Sequence, residues 1–64
     1  MSLRYRVVET MTVTDEALDR IMNAEAAAGW TLESIRFAMS DASRRPAMAF
    51  VIFTREVEIA DEAS

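Results

Sequence analysis

Arg44 and Arg45 stand side by side in a polar stretch covering residues 40–46. Paired guanidiniums recognise phosphate and carboxylate groups through forked, charge-assisted hydrogen bonds, so this is the best local candidate for an anion contact. Asp41 in the same stretch offsets part of that charge, and the plain alternative is a solvated loop. Arg4 and Arg6 would add to it only where the fold brings them near. Asp15, Glu16, Asp19 and Glu25 could supply an acid–base pair or an oxygen-lined Mg²⁺ site. Their clustering is equally what the positive end of a helix dipole attracts. Trp30 could stack on an aromatic ligand, or anchor the packing of a chain reversal. Met11, Met22, Met39 and Met48 could form an adaptable apolar surface, or fill a small core. Tyr5 could act as a general acid, or pack half-buried on a strand.

Missing residue types decide more. The chain has no Cys and no His. That removes disulfides and thiolate metal sites, along with the commonest metal ligand and general base. With no Lys either, no amine or imidazole is present to activate a Ser or Thr hydroxyl. A single Gly cannot build a glycine-rich phosphate loop. No catalytic residue, metal ligand set or cofactor is therefore assigned, and the expectation is a protein that is not an enzyme.

The 64 residues make one small domain, and a chain of this size buries only about 60% of its unfolded surface. Small domains commonly gain the missing support from disulfides, a metal or oligomerisation. With the first two set aside, self-association is expected. A net charge of −4 argues against nucleic acid as partner, because such domains concentrate positive charge against phosphates. No segment reaches the ~20 apolar residues a membrane helix needs, and no signal peptide is recognised ahead of the first strand. No membrane partner is expected, and the expected location is the cytoplasm.

The elements that must carry these residues follow from periodicity. Residues 3–10 alternate as a strand, with Leu3, Tyr5 and Val7 on one face and Arg4, Arg6 and Val8 on the other. Thr14 suits a helix N-cap, with Asp15 and Glu16 in the first turn and Val13 and Leu18 spaced as a hydrophobic staple. The helix is predicted over residues 15–28. Its apolar stripe is Ala17, Leu18, Ile21, Met22 and Ala28, with Ala24 and Glu25 in the middle. Gly29 just past its end suits a left-handed C-terminal cap, and Trp30 then folds back on the last turn. Gly29 and Trp30 form the structural pivot. Residues 31–39 read as a second strand whose pattern changes phase between Leu32 and Ile35, which suggests a bulge near Glu33 and Ser34. Residues 47–57 form the third strand. Its segment Ala49, Phe50, Val51, Ile52, Phe53 is apolar at both parities, so both faces need cover and the strand belongs in mid-sheet.

The run Tyr5 to Glu9, a helix, then Ala28-Gly29-Trp30-Thr31-Leu32 resembles domain-of-unknown-function family 4177. Its members are small bacterial and phage proteins with a GW-x-L core after the helix. The resemblance covers roughly residues 4–55, with Ala28 and Thr31 where members commonly carry Glu. It implies a small βαββ fold and supplies no catalytic residues.

The expected architecture is α+β, in β-α-β-β order. A three-stranded antiparallel sheet of order 1-3-2 carries one helix on one face, reached by a right-handed crossover. The domain spans residues 1–57, and residues 58–64 form an acidic, frayed tail. One helix covers one face of so narrow a sheet and leaves the other bare. Either Phe50 and Ile52 or Val51 and Phe53, together with Val8, would lie on the bare side, so Phe50, Val51, Ile52 and Phe53 are the interface candidates. The expectation is a non-catalytic structural or interaction module that forms a homodimer or higher oligomer through its sheet. The alternatives are a small-ligand or anion-binding module with a subunit-interface site near Arg44 and Arg45, and an enzyme with an interfacial carboxylate–Arg site.

Overall fold

The computed structural model describes residues 2–39 and 45–58. It comprises β1 (Ser2–Thr10), α1 (Asp15–Ala27), β2 (Thr31–Met39) and β3 (Pro46–Val57). The strands form one sheet of order β1-β3-β2, with β3 antiparallel to both neighbours. This is the expected α+β architecture. Arg44, the remainder of the 40–44 loop and the tail beyond residue 58 lie outside the described residues.

The helix starts where its chemistry requires. Thr14 is extended, and its hydroxyl accepts from the Ala17 amide at 3.1 Å. Asp15 accepts from the Glu16 amide at 2.9 Å, placing a carboxylate beside the positive end of the helix dipole. The helix closes one residue earlier than expected, at Ala27, with Ala28 as C-cap. Gly29 has φ of +95°. Its amide donates to the Ala26 carbonyl at 3.0 Å, while the Trp30 amide donates to Glu25 at 2.9 Å. Those two bonds together are the Schellman motif, which satisfies carbonyls left unpaired at a helix end.

Residues directly opposite one another in a sheet share a face, so the register assigns each side chain. Ala49, Val51 and Phe53 are fully buried and, with Ala17 from the helix, form the core. Opposite them stand Thr10, Val8 and Arg6 on β1 and Phe37, Ile35 and Leu32 on β2. This is the helix-bearing face. Val8 therefore lies beneath the helix, not on the bare side where it was expected. Val51 and Phe53 are likewise withdrawn from the interface candidates. Ala24 and Ala28, expected in the buried stripe, are exposed: Ala28 lies past the last helical turn and Ala24 falls at the stripe's edge.

The phase change in β2 is a bulge. Leu32 pairs with Phe53 and Ser34 with Ile52, leaving Glu33 as the extra residue. One unpaired residue keeps both Leu32 and Ile35 on the helix side although they are separated by an odd interval.

Candidate interaction surface

The face away from the helix carries the other parity of every strand. Four cross-strand rows follow from the register: Leu3 with Glu56; Tyr5 with Thr54 and Thr31; Val7 with Ile52 and Ser34; Glu9 with Phe50 and Arg36. A fifth pairs Met48 with Ala38. No described element covers this face. Leu3, Tyr5 and Val7 are 50%, 65% and 56% exposed, and Phe50, Ile52 and Met48 are half-buried beside them. Tyr5 is thus more open than the half-buried packing expected of it, because it sits on an edge strand opposite small Thr54. An apolar strip bordered by hydroxyls and single charges is what interfaces between chains look like.

The helix-bearing face holds an arrangement that sequence reasoning missed. The Arg6 Nε lies 2.9 Å from Glu25 Oε1, so the acidic residue in the apolar stripe is paired with a cation from β1. Arg55 sets its guanidinium over the Trp30 ring, 4.6 Å from the centroid, and donates from Nη1 to the Ala28 carbonyl at 3.3 Å. The last helical turn has no basic residue of its own, and Arg55 from β3 supplies the positive charge that a helix C-terminus favours. Two signals in the chain pointed this way: an acid amid apolar helix positions, and a helix end without a cation. Trp30 is an anchor, half-buried and held under a guanidinium.

The remaining candidates are dispersed. Arg45 is exposed beside Pro46, at the end of β3 opposite to Arg55. At ~3.3 Å per residue the two ends lie ~30 Å apart. Arg4 pairs across the sheet with Arg55, so Arg4 and Arg6 lie at the far end from Arg45 and do not extend its charge. Asp15, Glu16 and Asp19 are exposed on the helix. Among the described residues no group of three or more acidic side chains is placed to hold a metal ion. No described helix is long and apolar enough to cross a membrane. Comparison with protein-family models, curated proteins and solved structures returns no match to this chain.

Proposed function

We propose that this protein is a non-catalytic interaction module whose uncovered sheet face is closed by another copy of itself. The observation that carries this reading is the contiguous strip of Leu3, Tyr5, Val7, Ile52, Phe50 and Met48, three of them half or more exposed. Covering even part of such a face stabilises by about 25 cal/mol per Å² of apolar surface removed from water, and the small core beneath the helix gives the fold reason to use it. The same reading takes Gly29 and Trp30 as the cap and anchor of a GW-x-L core of the family 4177 kind, with Leu32 on the helix-bearing face opposite Phe53. Arg6 is taken up by Glu25 and stands at the end of the sheet away from Arg45, so it adds no charge to an anion site at Arg44 and Arg45.

Light scattering across a concentration series tests it. The expected result is a mass rising from one copy towards two by tens of micromolar. A single-copy mass throughout that range overturns the reading.

A further inference from the structure

The open face carries one feature that specifies how two copies would meet, and this step rests on the self-association just proposed. Glu9 on β1 and Arg36 on β2 both stand opposite Phe50 of β3, in the same row of the sheet. They occupy opposite edges of the open face, are exposed, and among the described residues neither has an ion-pair partner in its own chain. We infer that two copies pack open face to open face about a two-fold axis running along β3, so that Glu9 of each copy meets Arg36 of the other on either side of a central Phe50 contact.

The choice of axis follows from symmetry and charge. A two-fold axis along the strands keeps each row at its own level and exchanges the edges, placing β1 of one copy over β2 of the other. Glu9 then faces Arg36 twice. An axis across the strands through the same row leaves each edge over its own copy, setting Glu9 against Glu9 and Arg36 against Arg36. Moving that axis to the Val7 row sets Glu9 over Tyr5 and Arg36 over Thr31, with both charges covered and unpaired, which desolvation penalises. The first axis alone satisfies both charges. Face-to-face sheets stand about 10 Å apart, a gap that Glu and Arg side chains reaching towards each other can span.

Glu56 is the residue this packing must accommodate, because it lies on β3 beneath the axis. Packed sheets cross at about 30°, and Glu56 lies ~20 Å along β3 from the Phe50 row at ~3.3 Å per residue. The crossing separates its two copies sideways, while the Glu9 and Arg36 rows stay near the crossing point. A dimer of micromolar strength is expected.

The test is a charge exchange read by sedimentation equilibrium, with circular dichroism confirming that each variant folds. Glu9→Arg alone and Arg36→Glu alone should each weaken the dimer at least tenfold, since each sets like charges together at both contacts. The double variant E9R/R36E should return to within about threefold of the wild type. Single variants that weaken association without recovery in the double variant overturn this packing, and so do single variants with wild-type association. In either case Val7→Glu separates the two ideas. Dissociation by V7E leaves the open face as the interface with a different axis, whereas a V7E protein that associates like the wild type overturns the sheet-face reading as well.

Discussion

At Gly29 the backbone adopts φ of +95°, a conformation in which an L side chain is strained wherever its atoms point. A Cβ built there would come no closer than 3.8 Å to Arg55, an ordinary contact. The cost of Gly29→Ala is thus conformational and not steric crowding. It should exceed ~1 kcal/mol, read as a lower urea midpoint with unchanged slope; an unshifted midpoint would remove Gly29 from its role. Arg55 makes a subtler prediction. The chain has one Trp, so its emission reports on the guanidinium above the ring without ambiguity. Arg55→Ala should shift that emission and cost about 0.5–1 kcal/mol, the range for an exposed cation–π contact. Arg55→Lys should recover only part, because a compact ammonium lacks the flat fork that stacks and donates together. An emission spectrum identical in all three proteins would contradict the geometry.

At the scale of elements, the bulge in β2 makes the sharpest claim. Removing Glu33 restores strict alternation and leaves Leu32, Ile35 and Phe37 on the helix side, so that deletion should fold with the same register. Deleting Arg36 turns Phe37 to the opposite face from Ile35 and should abolish cooperative unfolding, since a one-residue slip reverses every later side chain. Amide exchange and thermal melts of the two deletions distinguish them, and equal behaviour would refute the assignment. Most of this element-level organisation was legible in the chain because its signals are local. Thr14 with Asp15 marks a helix start, Gly29 before Trp30 marks its end, and the odd interval between Leu32 and Ile35 marks the bulge. The parity of β3 was not legible. Phe50, Val51, Ile52 and Phe53 are apolar throughout, and only the pairing with Arg6, Val8 and Ile35 places Val51 and Phe53 beneath the helix. The Arg6–Glu25 and Arg55–Trp30 contacts were hidden for the same reason, since they join residues distant in sequence through strand register. The open face as a candidate surface was legible from counting elements, but its occupants Leu3, Tyr5 and Val7 needed the register too.

For the whole molecule, the disproportion between helix and sheet sets the behaviour. The 13-residue helix spans ~20 Å, whereas the 12-residue β3 extends ~40 Å. Even the helix-bearing side therefore leaves Phe37 and Met39 exposed, and a second apolar region lies near the end of the sheet where β1 stops. Stability should depend on protein concentration: if copies close the open face, the urea midpoint rises with concentration by mass action, and a concentration-independent midpoint would show that folding and association are uncoupled. The strand order has a further consequence in time. β1 and β2 never pair with one another, and each finds its hydrogen bonds only on β3, the last of the described strands to leave the ribosome. Residues 1–45 made alone should hold no sheet, visible as a coil-like far-ultraviolet spectrum. Until β3 emerges, the apolar side chains of β1 have no strand of their own chain to join, so nascent copies on one message are exposed to pairing with each other before either is complete.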